Sequence, residues 1–253
     1  MAESLQWRHV WALTRRAFLA LPCAAAGWGE VALLLEKRPR DGWRLSRRYT
    51  GCQVDLLSKL NRADRRGLAA LGQIVVPEVW DENEREYGPF WRWEEALGAY
   101  PKALIADLGL QALGAYEDGE LVHWGPISSG TRIHPTPPGA YHLNWKSRGR
   151  RSTVNPEWYL PYSFNFDSRE GLSLHAYALP GRPASHSCIR LLEPDARWLY
   201  EWGEQWMVDE NDGVVVRNGT PLWIEGQYAF GSPPPWISAR VPRRPRSVSG
   251  HCR

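Results

Sequence analysis

Short apolar runs separated by turn residues fill much of the second half of the chain, and this pattern constrains the fold more than any other feature. The runs at 103–108 and 111–116 each have the length of one strand. Asp118-Gly119 follows the second run and is a strong signal for a tight hairpin turn. Residues 101–226 are therefore predicted to form one mainly β domain.

The pattern changes after residue 188, where apolar residues recur at helical spacing. Pro194 stands in the expected first turn of this helix, where its missing N–H is tolerated. The residues expected on the buried face are Ala196, Leu199, Tyr200, Gly203 and Trp206. The runs 214–216 and 222–224 are expected to close the sheet. The predicted fold is thus β-sandwich-like, with one or two helices.

Residues 44–80 are predicted to form a small α/β unit. Two short helices are indicated by leucines at helical spacing, namely Leu56, Leu57, Leu60, Leu68 and Leu71. Strands are expected at 47–50 and 74–77. This order resembles a LysM module, a domain that binds bacterial cell-wall glycan, without the usual Gly-Asp start. The alternative is a helical hairpin packed on the main domain. Residues 81–100 are predicted to be a polar linker.

The two ends of the chain have biased sequences. The stretch Thr14-Arg15-Arg16-Ala17-Phe18-Leu19-Ala20 resembles a twin-arginine export signal, and Ala24-Ala25-Ala26 offers a cleavage site. Residues 1–27 are therefore predicted to be an export signal, and an ordinary first helix is the alternative. The apolar run is too short to span a bilayer, so the mature chain is expected to have no membrane span. The Pro- and Arg-rich residues 231–253 are predicted to be a disordered tail.

Composition narrows the class of partner. The net charge is only +3, and basic residues alternate with acidic ones, which argues against nucleic acid. Fifteen tryptophans and twenty prolines favour a turn-rich β protein with aromatic grooves. Sugars and peptides are commoner partners of such grooves than phosphates.

The chemistry is concentrated in Ser185-His186-Ser187-Cys188-Ile189-Arg190-Leu191, with His175 thirteen residues before the cysteine. A cysteine nucleophile needs a partner that takes its proton, and histidine has a suitable pKa. The same three side chains could bind zinc, but the chain has no CxxC, HExxH or evident fourth ligand, so we predict no metal and no cofactor. The other cysteines are expected to be inert or disulfide-bonded.

Several ordered motifs together carry a family resemblance. They are the Asp-Gly hairpin, Ser128-Ser129-Gly130, Thr136-Pro137-Pro138-Gly139, Pro161-Tyr162, His175, the cysteine motif, and Gly219-Thr220-Pro221-Leu222-Trp223-Ile224. In this order they resemble the catalytic domain of the L,D-transpeptidases, the YkuD-type enzymes of the bacterial cell wall. The chain departs from the family at Ser187, where glycine is usual. A position that requires positive φ would suit glycine better than serine.

The resemblance implies a role for each residue of the motif. Cys188 would be the nucleophile and His175 the general base, oriented by the backbone carbonyl of Ala176. His186 would lie beside the thiol and tune it. The oxyanion and substrate would be bound by the N–H groups of Ser187 and Cys188 together with Tyr162, Ser185 and Arg190, the last of these holding a substrate carboxylate.

The function implied by the resemblance is acyl transfer between peptidoglycan tetrapeptide stems through a cysteine thioester. The products would be 3→3 cross-links or conjugates with another amine, and carbapenems would acylate the thiol. Such an enzyme would be exported to the periplasm or cell envelope. Two alternatives remain: a hydrolase or amidase that uses the same thiol, and a catalytically weakened peptidoglycan-binding protein.

Overall fold

The computed structural model describes residues 32–39, 42, 44–80 and 83–237. The predicted export signal and most of the predicted tail lie outside these ranges, as do Cys23 and Cys252. The helices of the described chain are α1 (Leu45–Arg48), α2 (Gly51–Leu60), α3 (Arg65–Ala70) and α4 (Glu193–Trp202). Short 3₁₀ turns cover Glu84–Tyr87, Glu95–Leu97 and Pro235–Ile237.

The strands account for most of the regular structure between residues 101 and 226. In chain order they are β1 (Leu33–Lys37), β2 (Gln73–Pro77), β3 (Ala103–Asp107), β4 (Ala112–Glu117), β5 (Glu120–Ser128), β6 (Gly139–His142), β7 (Lys146–Arg151), β8 (Tyr159–Asp167), β9 (Leu172–Ala176), β10 (Ile189–Leu191), β11 (Met207–Val208), β12 (Val215–Arg217) and β13 (Pro221–Glu225).

Nine strands of the described chain form one sheet, in the order β6-β13-β3-β4-β5-β10-β9-β8-β7. Leu222 of β13 and Phe164 of β8 lie near opposite ends of this order, yet both belong to one buried cluster. The sheet therefore curls so that its two halves enclose a common core, as expected for a strongly twisted sheet of this size. The prediction of a mainly β, sandwich-like catalytic fold is confirmed.

The hairpin predicted at Asp118-Gly119 is present between β4 and β5. Both residues have positive φ, 46° and 89°, and Glu117 pairs with Glu120 across the turn. Two central residues with positive φ match the right-handed twist of the flanking strands, which is why Asp-Gly is favoured there.

The predicted helix after Cys188 is α4, with Pro194 in its first turn. Ala196 and Leu199 are buried in the core, and the helix packs against β8 and β9. The run at 214–216 was expected in the main sheet, but that prediction is wrong. Residues Val215–Arg217 pair instead with Met207–Val208 in a separate two-stranded hairpin.

The N-terminal unit begins earlier in the chain than predicted. Its first strand is β1, which pairs antiparallel with β2 and precedes the helices. The prediction of a strand at 47–50 is wrong. Residues 47 and 48 belong to α1, and Thr50 caps α2 through reciprocal hydrogen bonds with Gln53. This arrangement satisfies N–H groups at the start of the helix and favours helical over extended backbone there.

Helix α2 belongs to two hydrophobic clusters. Val54 and Leu57 face the core of the N-terminal unit, whereas Leu56 and Leu60 pack with side chains of the main sheet. Residues 83–100, predicted to be a polar linker, contribute to the second cluster through Tyr87, Phe90 and Leu97. The linker prediction is corrected accordingly, because this segment is packed on the sheet.

The turn between α2 and α3 is bonded to the connection that leads from β9 to Cys188. The N–H of Asp64 donates to the carbonyl of Leu179, and the N–H of Leu179 donates to Asp64 Oδ2, both at 2.8 Å. The N–H of Gly181 donates to the carbonyl of Arg62 at 3.1 Å. A Cβ at Gly67 would lie 2.3 Å from the Leu179 carbonyl, so this close approach requires glycine. The N-terminal unit therefore fixes part of the connection that positions the cysteine.

The beginning of the predicted disordered tail is also packed. Trp236 is buried, and the Arg62 guanidinium carbon lies 5.3 Å from its ring centroid. A large ring that stacks on a buried cation orders this part of the chain. Within the described ranges, no helix combines the length and apolar character that a bilayer span requires.

Candidate active site

Strand pairing brings the two ends of the chemical motif together. Strands β9 and β10 are parallel neighbours, with His175 opposite Arg190 and Leu174 opposite Ile189. Cys188 directly precedes β10, so it enters the sheet beside the strand that carries His175. Both side chains line one cleft of about 200 Å³. Ser185, His186, Ser187 and Arg190 line the same cleft.

His175 is buried, with only 3% of its surface exposed. Its Nδ1 lies 3.0 Å from the carbonyl oxygen of Ala176. A carbonyl can only accept a hydrogen bond, so Nδ1 carries the proton and Nε2 is left as an acceptor. Burial lowers the pKa of His175 from 6.5 to about 4, and the charges of Arg190 and Arg150 act in the same direction. The imidazole is therefore neutral near pH 7.

Cys188 is also neutral in the resting site. Burial raises the pKa of its thiol, against the effect of a hydrogen bond with the Ser173 backbone and of the charges of Arg150 and Arg190. A protonated thiol is a poor nucleophile, and it needs a base during attack. The pair therefore rests as thiol and imidazole.

The loop that carries Cys188 is held by hydroxyl groups. Ser185 Oγ donates to the carbonyl of Cys188. Thr136 Oγ1 donates to the carbonyl of Ser187 at 2.9 Å and accepts from the N–H of Gly130 at 2.8 Å. Ser185 thus closes the loop through a hydrogen bond to the residue three positions later. Thr136 is a positioning residue that the sequence placed in a motif but not in the site.

Ser187 has φ of 75°, in the left-handed region. Glycine adopts this region freely, whereas a Cβ there costs roughly 1–2 kcal/mol. The bond from Thr136 to the Ser187 carbonyl fixes the backbone in this conformation. Ser187 therefore adopts the left-handed backbone conformation that glycine would favour, and this lowers the free energy of unfolding.

Replacing Ser187 with glycine is expected to raise the free energy of unfolding by about 0.5–1 kcal/mol. Removal of the Cβ strain stabilises the folded state, and the extra backbone entropy that glycine gives the unfolded chain offsets only part of this gain. Ser187→Ala keeps the Cβ and should change stability by less than about 0.5 kcal/mol. Urea unfolding of the three proteins measures the difference. A glycine variant less stable than the alanine variant would show that backbone strain at this position is outweighed by the entropy of the unfolded chain.

The comparison with protein families covers the region that contains the site. The family model of the YkuD L,D-transpeptidase catalytic domain matches residues 101–224. The chain carries a YkuD catalytic domain. No curated protein matches the chain.

Solved structures of L,D-transpeptidases are similar to the chain over about half of its length. One from Stackebrandtia nassauensis is 25% identical, covers 57% of this chain and 64% of its own, and has a TM-score of 0.44. One from Mycobacterium smegmatis is 20% identical, with 49% and 58% covered and a TM-score of 0.39. One from Mycobacterium tuberculosis H37Rv is 25% identical, with 49% and 57% covered and a TM-score of 0.39. The chain thus spans 57–64% of the length of these proteins.

A second histidine accompanies His186 in the YkuD domain. The rings of His134 and His186 stack with centroids 3.5 Å apart and planes 27° apart. The sequence predicts His134 to be an ordinary loop residue, because nothing local marks it. The stack arises because the loop at 130–136 is bonded to the cysteine loop, for example from the N–H of Thr131 to the carbonyl of Ser185.

The two arginines of the cleft come from different strands. Arg190 Nη1 donates to the carbonyl of Ala178 at 3.3 Å, and its guanidinium carbon lies 4.6 Å from the Tyr177 ring centroid. Arg150 lies on β7 and lines the cleft as well. Strand β7 is paired with β8 along most of its length, which holds the backbone of Arg150 in the sheet.

Tyr162 does not reach the cleft of the YkuD domain. It lines a separate depression with Arg148, Arg197, Tyr200 and Glu201. Its ring centroid lies 5.9 Å from that of Tyr200. The prediction that Tyr162 contributes to the oxyanion site is therefore corrected: this side chain packs against α4.

The described residues contain no group of three or more His, Cys, Asp or Glu side chains arranged to hold a metal ion. Cys52 and Cys188 are free thiols, and Cys52 is exposed on α2. Cys52 is thus available as an internal comparison for the reactivity of Cys188.

Proposed function

We propose that the protein is an L,D-transpeptidase that acts on peptidoglycan stem peptides through Cys188. The observation that carries this proposal is the hydrogen bond from His175 Nδ1 to the Ala176 carbonyl. It leaves Nε2 unprotonated in the cleft that Cys188 also lines. A neutral imidazole held in one tautomer is suited to accept a thiol proton.

Acylation follows from the proposed roles. Cys188 Sγ attacks the stem carbonyl while its proton passes to His175 Nε2. The tetrahedral oxyanion accepts hydrogen bonds from the backbone N–H groups of Ser187 and Cys188. The carbon–nitrogen bond then breaks, His175 returns the proton to the leaving amine, and D-alanine departs. The product is a thioester on Cys188.

Deacylation uses the same groups in reverse. An acceptor amine attacks the thioester carbonyl while His175 takes the amine proton. The carbon–sulfur bond then breaks, and His175 returns the proton to Cys188, which restores the thiol. A stem side-chain amine as acceptor gives a 3→3 cross-link. Water as acceptor would make the protein a hydrolase. The N-terminal unit has three helices between two paired strands, one helix more than the predicted LysM-like order. Its paired strands and short helices support a further role in binding wall glycan, which would place the protein in the cell envelope.

The positive φ of Ser187 favours a second candidate, a peptidoglycan-binding protein with weakened catalysis. Serine in a left-handed conformation strains the loop that would bind the oxyanion. Against this candidate, the Thr136 and Ser185 hydroxyls bond to the loop carbonyls of Ser187 and Cys188. The two candidates differ in whether Cys188 reacts.

Incubation of the reduced protein with imipenem tests the proposal by intact mass. We expect one covalent adduct on the wild type and on Cys52→Ala, and no adduct on Cys188→Ala. Cys52 is the matched control because it is a free, exposed thiol outside the cleft. A folded wild type that forms no adduct, or an adduct that persists in Cys188→Ala, contradicts the proposal. Muropeptide analysis with the same variants then separates transfer from hydrolysis.

A further inference from the structure

Two guanidinium groups face the cleft, and neither has a carboxylate partner among the described residues. Within this part of the chain, no Asp or Glu oxygen lies within 4.0 Å of a side-chain nitrogen of Arg150 or Arg190. The guanidinium carbon of Arg150 lies 4.9 Å from the ring centroid of Trp145. The guanidinium of Arg190 packs on the Tyr177 ring and donates to the carbonyl of Ala178. The cleft is therefore strongly cationic at the reacting groups.

Other arginines of the chain do have acidic partners. Arg48 lies 2.8 Å from Glu36, Arg65 lies 2.8 Å from Asp55, and Arg197 lies 3.1 Å from Glu201. A cation that is partly removed from water is costly unless an anion or a set of acceptors compensates it. The charges of both arginines also act on His175 and lower its pKa. An anion in the cleft would relieve both effects.

One carboxylate of the described residues lines the cleft, but it does not neutralise Arg150 or Arg190. It belongs to Glu170, which lies at the turn between β8 and β9 and has a side chain that is 63% exposed. Its Oε1 lies 3.8 Å from Arg169 Nε, so it faces a different guanidinium. The compensating charge must therefore come from the bound substrate.

We propose that Arg150 is a specificity-determining residue that binds a carboxylate of the acyl donor, with Arg190 completing a two-arginine site. This inference rests on the proposed function and names its substrate class: a stem whose diamino acid carries a free carboxylate rather than an amide. A planar guanidinium binds a carboxylate through two parallel hydrogen bonds, which gives direction as well as affinity.

The position of Arg150 on its strand supports the choice of this residue. Arg150 pairs with Leu160 across the β7–β8 ladder, and both residues line the cleft. Arg148, two residues earlier on β7, lines the separate depression that contains Tyr162. Arg151 Nη1 instead donates to the carbonyl of Pro156. Arg148 therefore serves as a control with the same charge, on the same strand, outside the cleft.

Two tetrapeptide donors, identical except for a carboxylate or a primary amide on the diamino acid, provide the test. The rate of thioester formation on Cys188 is measured by intact mass for the wild type, Arg150→Gln and Arg148→Gln. We expect the wild type to react about 10- to 100-fold faster with the carboxylate donor, the range given by a hydrogen bond to a charged group. Arg150→Gln should lose this preference, and Arg148→Gln should keep it.

The amide donor distinguishes the loss of carboxylate binding from the loss of catalytic activity. The charge of Arg150 also acts on Cys188 and His175, so its loss can change both rates, and the readout is the ratio of the two rates. Measurable acylation of Arg150→Gln by both donors, at rates within about threefold of each other, shows that the chemistry continues without the carboxylate preference and supports the inference. An equal loss with both donors, or a wild type without preference, overturns it. A wild type that neither donor acylates contradicts the proposed function itself, and the inference falls with it.

Discussion

Replacing His175 with asparagine is expected to lower the rate of Cys188 acylation by about 10²- to 10⁴-fold, the usual contribution of a positioned general base. Burial keeps both partners neutral, because it raises the thiol pKa and lowers the imidazole pKa to about 4. Little thiolate exists in the resting site, so the proposed mechanism requires the proton to move during attack. The measurement is the rate of imipenem adduct formation by intact mass at pH 7.

His186 provides the comparison, because it is nearer to the cysteine in sequence and could be mistaken for the base. Its ring stacks on His134, and the loop that carries it is held by backbone bonds. His186→Asn is expected to reduce the rate less than His175→Asn. The opposite order, or a His175→Asn rate within about threefold of wild type, would move the base role away from His175.

Acid is expected to destabilise the protein by about 3 kcal/mol between pH 7 and pH 4 through His175 alone. The pKa of this residue falls from 6.5 to about 4 on folding, mainly because of burial. Between these values the unfolded chain binds a proton that the folded chain excludes, so stability is full above about 6.5 and is lost as the pH falls toward 4. The gap between the two pKa values corresponds to about 3 kcal/mol.

Urea unfolding at pH 4.5 and pH 7 measures this acid dependence. Burial raises the pKa of Asp107 and of Glu225, so these carboxyls act with the opposite sign and favour the folded state in acid. The difference between wild type and His175→Asn therefore isolates the histidine. Cys188→Ala retains His175 and should lose as much stability in acid as the wild type. Equal acid dependence in wild type and His175→Asn would show that the imidazole is not the buried titrating group.

The strand pattern was predictable where local chemistry and tertiary context agree. Asp118-Gly119 accepts positive φ at both turn positions, so the β4–β5 hairpin follows from the residues themselves. Pro194 followed by Ala196 and Leu199 likewise predicts α4. The run at 214–216 has the composition of a central strand, yet it pairs in a small hairpin away from the main sheet. Strand composition does not specify the partner strand.

Packing between distant segments accounts for most of the predictions that failed. Residues 83–100 resemble a polar linker because their charged residues outnumber the three buried side chains, Tyr87, Phe90 and Leu97. Tyr162 lies on the strand expected to reach the site, but its ring packs on Tyr200. Both outcomes depend on neighbours that are far away in sequence. Thr50 differs, because a local reciprocal bond with Gln53 made it a helix cap instead of a strand residue.

The cysteine motif, the spacing to His175 and the departure at Ser187 are properties of the sequence itself, because each residue type brings its own acid-base chemistry or backbone preference. Only the tertiary structure decided how these groups meet. The parallel pairing of β9 and β10 places His175 beside Cys188, Ala176 orients the imidazole, and Thr136 fixes Ser187 at positive φ. The same folding brings Arg150 from β7 to the cleft, since strand pairing joins residues that no local pattern connects.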